Sequence, residues 1–335
     1  MKKRTDIPDF SGKKILIIRL SSLGDILLTT PLVRTLKKKF GNIDLDFVLK
    51  SQYEDVLKLN PYISKLFLYK NEKSKISELI AKLKGNRYDA VLDLQNNFRS
   101  AEIRNAVKAE NYIFDKRTVD KFLLVNFKIN RLKDTRQIPG RYAEAVPIQL
   151  DDGGLELVTE NKPSEVLRGK HNLIGFAPGS RHFTKMWPKD YYEKLGNLLT
   201  MEGFTIVLFG GREDVPVCAE ISGNIKGSID LSNNDDLLQT AADMKVCIAI
   251  ACNDSGMMHT ACAVKVCVLA FYGSTVKEFG FTPYKNRNLI LENNSLTCRP
   301  CSHIGRERCP KGHFRCMLEV KPEEAFEALM TLVKS

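Results

Sequence analysis

Short runs of aliphatic and β-branched residues recur along this chain, separated by longer stretches with helical spacing. The first run, Lys14-Ile15-Leu16-Ile17-Ile18-Arg19-Leu20, is apolar at consecutive positions, as in a parallel strand covered on both faces. Asp25 to Phe40 then reads as a helix with Pro31 near its start. Leu45 to Leu49 reads as a strand, Tyr53 to Leu59 as a helix and Lys65 to Tyr69 as a strand. Ser74 to Lys84 is helical and Ala90 to Leu94 extended. Strands alternating with helices predict βαβ units, and so an α/β fold in which helices cover both faces of a parallel sheet.

Between about Arg131 and Lys170 this periodicity fades. Pro139, Gly140, Pro147, the run Asp151-Asp152-Gly153-Gly154 and Pro163 punctuate the segment, which predicts a domain boundary. The alternation then restarts, with strands at Asn172 to Ala177, Thr205 to Phe209, Val246 to Ala251 and Val266 to Phe271. Helices are expected at Lys189 to Met201, Leu237 to Met244 and Gly256 to Ala263. A chain of 335 residues is long enough for two cores, so we expect domains at 1–160 and 161–317, then a C-terminal helix over 318–335.

The 51 Lys and Arg outnumber 40 Asp and Glu, for a net charge of +11, which favours an anionic partner: nucleic acid, a phosphorylated substrate or an acidic membrane surface. The basic N-terminus is followed by Asp6, Pro8, Asp9 and Gly12 rather than by an apolar stretch, and no apolar run reaches the length of a membrane span. The expected setting is therefore cytoplasmic, with peripheral contact to the inner membrane. Nine cysteines without an export signal predict reduced thiols.

Three loops follow strands directly and open helices, where α/β folds place their ligand contacts. In Ser21-Ser22-Leu23-Gly24-Asp25, Gly24 permits a tight turn and Asp25 stands at a helix start; it is either a cap or a carboxylate aimed at a ligand. In Pro178-Gly179-Ser180-Arg181-His182-Phe183-Thr184-Lys185-Met186-Trp187-Pro188, backbone N–H groups, Thr184 and Lys185 suit a phosphate, while Trp187 suits an anchoring role. In Asn253-Asp254-Ser255-Gly256-Met257-Met258-His259, Asp254 and Ser255 can cap a helix whose free amides point at an anion, with His259 one turn in. The dinucleotide fingerprint G-x-G-x-x-G is absent from the first loop, and the second is not a Walker loop.

Taken together, the stretch Lys14 to Pro31, the Pro-Gly-Ser loop with Lys185-Met186-Trp187-Pro188, and the Asn253 to His259 segment resemble the three signature regions of glycosyltransferase family 9, which includes ADP-heptose:lipopolysaccharide heptosyltransferases. The resemblance implies a GT-B architecture, two Rossmann-like doubly wound domains facing a central cleft. It implies inverting transfer of heptose from ADP-L-glycero-D-manno-heptose to the lipopolysaccharide inner core, with no cofactor and no bound metal. By the same resemblance Asp25 matches the catalytic base and Lys185 the phosphate-binding lysine. Ser180, Thr184, Asp254, Ser255, Gly256 and His259 complete the nucleotide-sugar site. Glu213, or its neighbour Asp214, matches an acidic residue on the ribose. On the acceptor side, Ser22 and Arg99 are the candidates. Arg99 lies in Asp93-Leu94-Gln95-Asn96-Asn97-Phe98-Arg99-Ser100, where many members of the family have Gly at the position of Asn96.

Cys298-Arg299-Pro300-Cys301 with Cys309 and Cys316 leaves a structural zinc site open, although the second pair is too widely spaced for a tight knuckle. Arg299, Arg306, Arg308, Lys311 and Arg315 in this segment are expected to form a basic surface near lipid headgroups. Two rival functions stay open: transfer of another sugar from another nucleotide, and nucleic-acid binding through a cysteine zinc module. Against the latter, basic residues are interleaved with acidic ones and no nucleic-acid motif is present, so no nucleic-acid partner is expected.

Overall fold

The computed structural model describes residues 8–70, 75–133, 135–233 and 235–334. The basic N-terminus and Ser74 of the expected third helix lie outside the described residues. The chain divides into two compact units, Met1–Arg117 with Arg136–Val158, and Thr118–Thr135 with Thr159–Ser335.

In unit 1, strands β1 (Lys14–Ile18), β2 (Asp44–Lys50), β3 (Lys65–Tyr69), β4 (Ala90–Asp93) and β5 (Glu110–Ile113) form one sheet in the order β3-β2-β1-β4-β5. Every pairing is parallel. Helices α1 (Leu23–Leu27), α2 (Thr30–Phe40), α3 (Lys75–Lys84), α4 (Phe98–Val107) and, later, α6 (Ile138–Ala143) complete the unit. The single helix expected over Asp25 to Phe40 is thus two. Pro31, without an N–H, occupies the first turn of α2, and the Thr29 and Thr30 hydroxyls donate to the carbonyls of Ile26 and Leu27 at 2.7 Å. Tyr53 to Leu59, expected as a helix, forms only a 3₁₀ turn over Ser51–Val56.

Unit 2 carries α5 (Thr118–Phe127), then β6 (Leu173–Ala177), α7 (Lys189–Met201), β7 (Thr205–Leu208), α8 (Val215–Gly223) and β8 (Ile229–Asp230). It continues with α9 (Leu237–Met244), β9 (Ala249–Asn253), α10 (Gly256–Ala263), β10 (Cys267–Tyr272), β11 (Asn288–Glu292), α11 (Arg315–Leu318) and α12 (Pro322–Lys334). Its sheet runs β11-β10-β9-β6-β7-β8, the Rossmann order, again wholly parallel. A core cluster of this unit gathers Phe176 and Phe271 from the sheet, Trp187 from the loop before α7 and Tyr192 from α7 with Leu329 and Leu332 from α12.

The Asp151 to Gly154 run, within the segment expected to hold the domain boundary, is pinned to unit 1. The buried Arg34 guanidinium of α2 binds Asp151, donates to the Gly154 carbonyl at 2.9 Å and pairs with Glu156 at 2.9 Å. Residues 118–135 also depart from the expected division at 160, since Leu124 and Leu132 pack with Phe279 of unit 2.

Candidate active site

In an open parallel sheet, ligands bind beyond the carboxyl ends of the strands, where the strand order reverses. That point lies between β1 and β4 in unit 1, and between β6 and β9 in unit 2. All three expected loops, and the Asp93 to Ser100 segment, leave those four strands.

In unit 1, Asp25 sits on α1 with one oxygen 2.6 Å from Arg19 Nη2. Its other oxygen accepts from Ser22 Oγ at 2.8 Å and from the Ser22 amide at 3.2 Å. The carboxylate therefore does cap the helix, reaching back from its third position, while keeping an ion pair. Burial would raise the Asp25 pKa, but the Arg19 charge and the Ser22 hydrogen bonds outweigh it and hold the group below the usual carboxylate range. Arg19 is itself fixed by the Leu94 carbonyl at 2.6 Å and lies over the Tyr142 ring. Ser22, expected to face the acceptor, has its hydroxyl committed to Asp25.

Asp93, at the end of β4, is fully buried and accepts from Ser100 Oγ at 2.9 Å and Arg104 Nη1 at 2.6 Å. Asn96 takes a left-handed conformation (φ 45°), where glycine is at ease and asparagine tolerated, and its side-chain Nδ2 donates to the Phe114 carbonyl at 2.9 Å. Asn96 thus takes a backbone conformation that glycine also favours. Arg99 is exposed on the first turn of α4, next to Phe98, which is 87% exposed.

In unit 2, Lys185 Nζ lies 2.9 Å from Asp254 Oδ2, and the Thr275 hydroxyl donates to the same oxygen at 2.7 Å. Asp254 therefore orients Lys185 rather than capping α10. Ser255 is the N-cap residue of α10, and its buried hydroxyl has no protein partner among the described residues. Gly256 opens the helix, and His259, one turn in, is buried rather than on the surface. Asn253 joins the two loops, accepting from the Trp187 amide at 2.9 Å and donating to the Pro178 carbonyl at 2.7 Å. Trp187 anchors as expected, stacked on Phe271 at 4.1 Å and donating to the Val320 carbonyl at 2.9 Å.

Two expected donors are placed differently from one another. Ser180 is half-exposed at the tip of its loop, whereas Thr184 is 1% exposed with its hydroxyl bonded to Ser274 Oγ and the Arg306 backbone. The loop is electropositive: burial, then Arg181 and Lys185, push the His182 pKa down. Glu213 is exposed in the turn after β7, while the Asp214 carboxylate is folded inward. It accepts from the Gly211 amide at 3.1 Å and lies where a side chain at Gly179 would have to go. Between the two, Glu213 is the side chain exposed to solvent.

Among the described residues, no group of three or more His, Cys, Asp or Glu side chains is placed to hold a metal ion. In the cysteine segment, Cys298 Sγ lies 3.8 Å from His313 Nε2, and burial pushes the Cys316 thiol up to about 11. Arg299, expected on a basic surface, is buried: it donates to the carbonyls of Gly273, Thr275 and Asn293 and pairs with Glu292 at 2.8 Å. Arg315 is paired with Glu319, which leaves Arg306, whose Nε donates to the Cys301 carbonyl at 3.0 Å, Arg308 and Lys311 as exposed cations there.

Sequence reasoning missed Arg19 and Lys116. An arginine inside an otherwise apolar run, just past the end of β1, was the available signal, because a buried guanidinium requires a counter-charge. Lys116 is half-buried with its pKa lowered, first by burial and then by Arg19, and feels both Asp25 and Asp93. Nothing local in the sequence marks it.

Residues 76–310 match the profile of glycosyltransferase family 9 (heptosyltransferase). The chain is 25% identical to lipooligosaccharide heptosyltransferase 2 of Campylobacter jejuni, covering 96% of this chain and 99% of that one. It is 24% identical to lipopolysaccharide heptosyltransferase 2 of Salmonella typhimurium, covering 96% and 98%. Among solved structures it resembles a family 9 glycosyltransferase from Veillonella parvula (TM-score 0.79, 22% identity, 98% and 99% covered). It also resembles E. coli ADP-heptose LPS heptosyltransferase II (TM-score 0.75, 24% identity, 96% and 98% covered). The fold is accordingly of the GT-B class, with two Rossmann-like sheets. With the profile spanning most of its length, and with signature loops at the strand-order reversal of both sheets, this chain belongs to glycosyltransferase family 9.

Proposed function

We propose that the chain transfers heptose from an ADP-heptose donor to the inner core of lipopolysaccharide, with inversion and without a metal or cofactor, at the cytoplasmic face of the inner membrane. The relatives' names support the donor and acceptor. The observation that carries the donor half is the Lys185–Asp254 pair beside the unpartnered Ser255 hydroxyl and the opening amides of α10. Such a cluster of a fixed cation and helix-start donors suits a diphosphate.

In this reading the acceptor hydroxyl oxygen bonds to the anomeric carbon, the bond from that carbon to the diphosphate oxygen breaks, and ADP departs with the electron pair. The hydroxyl proton goes to Asp25. Arg19 lowers the basicity of Asp25 but keeps it ionised, ready for a proton that becomes acidic as the new bond forms. Lys185 and α10 stabilise the charge gathering on ADP. Asp254 acts through Lys185, Glu213 receives the ribose, and Arg99 with Lys116 meets anionic groups of the acceptor. Thr184 shapes the loop and Ser180 remains a direct contact.

Titration with ADP, UDP and GDP, followed by transfer assays from ADP-heptose onto a de-acylated inner-core oligosaccharide, tests the reading. Tightest binding of ADP and heptosylated product are expected. Lys185→Ala should weaken ADP by about tenfold or more while adenosine binds nearly unchanged. Preference for UDP or GDP would replace the donor, and equal losses for ADP and adenosine would remove Lys185 from the phosphate.

A further inference from the structure

Helix α5 is apolar on two sides, which a surface helix of a soluble protein ordinarily is not. Its inner side is accounted for: Leu124 and Val125 pack with Leu132, Val276, Phe279 and Phe281 in a small core of unit 2. Lys128, just past its end, donates to the Cys298 carbonyl at 3.1 Å and the Pro300 carbonyl at 2.6 Å, fixing α5 to the cysteine segment. On the outside, Val119 is 68% exposed, Phe122 56% and Phe127 61%, with Ile129 following at 48%. Phe122 and Phe127 touch edge to face, 5.9 Å between centroids, so the exposed rings form one patch.

We propose that this outer face of α5 is a membrane-docking surface that inserts into the headgroup region of an anionic phospholipid bilayer. Charge favours that occupant. Over residues 118–133, Lys121, Lys128, Arg131 and Lys133 stand against Asp120 alone, and Arg131 and Lys133 are exposed. Aromatic and aliphatic tips flanked by cations match a bilayer interface with negative headgroups. A helix of ten residues is about 15 Å long and lies along a bilayer without crossing it. Among the described residues no helix is long and apolar enough to span one. The four exposed side chains offer on the order of 400 Å², about half of what each partner contributes to a stable protein dimer, which disfavours a second copy as the occupant. The choice of a membrane rests on the reading of the acceptor as an envelope glycolipid.

Flotation of the full chain with vesicles of phosphatidylcholine alone, and of phosphatidylcholine mixed with phosphatidylglycerol, tests the surface. Binding is expected only to the anionic vesicles and should weaken as salt rises. Phe122→Ser combined with Phe127→Ser should reduce binding by about tenfold or more, with thermal melting and calorimetric ADP affinity unchanged because both rings lie outside the core. Transfer to the de-acylated acceptor, measured without vesicles, tests the activity separately, so that a wrong docking surface and a wrong reaction give different results. Absence of wild-type binding to anionic vesicles, equal binding by the double variant, or a concentration-dependent dimer that the variant abolishes would each overturn the proposal.

Discussion

A carboxylate taken out of water ordinarily holds its proton more tightly, yet Asp25 is driven the other way by Arg19 and Ser22. With its folded pKa below the unfolded value of about 3.9, the group adds stability above that pH and loses it as pH falls through the folded pKa. The acid limb of kcat/KM should likewise lie below the ordinary carboxylate range. Arg19→Met should move that limb to higher pH, and Arg19→Lys, which retains the charge, should restore most of it; a limb unmoved in both would detach Arg19 from the base. Asp25→Asn should lower turnover about 10²–10⁴-fold with ADP affinity kept, read by calorimetry beside kinetics. At this scale the sequence displayed residue types but not partners. Asp25 and Lys185 were legible as charged groups in loops at strand ends, whereas pairing with Arg19 and Asp254 depends on contacts that no local pattern encodes.

Among the elements, the N-terminus of α10 makes the sharpest demand. A buried hydroxyl without a partner costs about 1–3 kcal/mol relative to one that is satisfied, and Ser255 Oγ is in that state. Ser255→Ala should therefore leave the melting temperature unchanged or slightly higher while weakening ADP about tenfold; ADP affinity equal to wild type would exclude the hydroxyl from the donor site. Elements with a clear periodicity were the legible ones, the edge strand Lys65–Tyr69 among them. Lys65–Tyr69, Lys189–Met201, Leu237–Met244 and Gly256–Ala263 carry the periodicity of their own type and occupy the expected spans. Edge strands β5 and β11 went unread, since Glu110 and Asn111 are exposed in one and the other is half-buried throughout. The strand expected from Val246 begins at Ala249 because Val246 and Cys247 still bond back to the end of α9. An apolar run does not disclose where a helix exit stops and a strand starts.

For the molecule as a whole, ADP binding and unit 2 stability should rise together. Saturating ADP at about 100 times its dissociation constant adds about 2.7 kcal/mol to whatever unit binds it. Calorimetric scans are expected to show one ADP-responsive transition, and Leu132→Ala should lower that transition by about 2–5 kcal/mol although the residue lies in the first half of the chain. A drop confined to the ADP-silent transition would place residues 118–135 in unit 1. The excursion of those residues into unit 2 also has a temporal meaning. Leu124 and Leu132 leave the ribosome roughly 150 residues before Phe279 against which they pack, a delay of roughly 7–30 s at ordinary elongation rates. Throughout that interval both apolar sides of α5 stand uncovered, so the nascent chain presents a binding sequence for chaperones, and the gene order of the halves governs how long it must be sheltered.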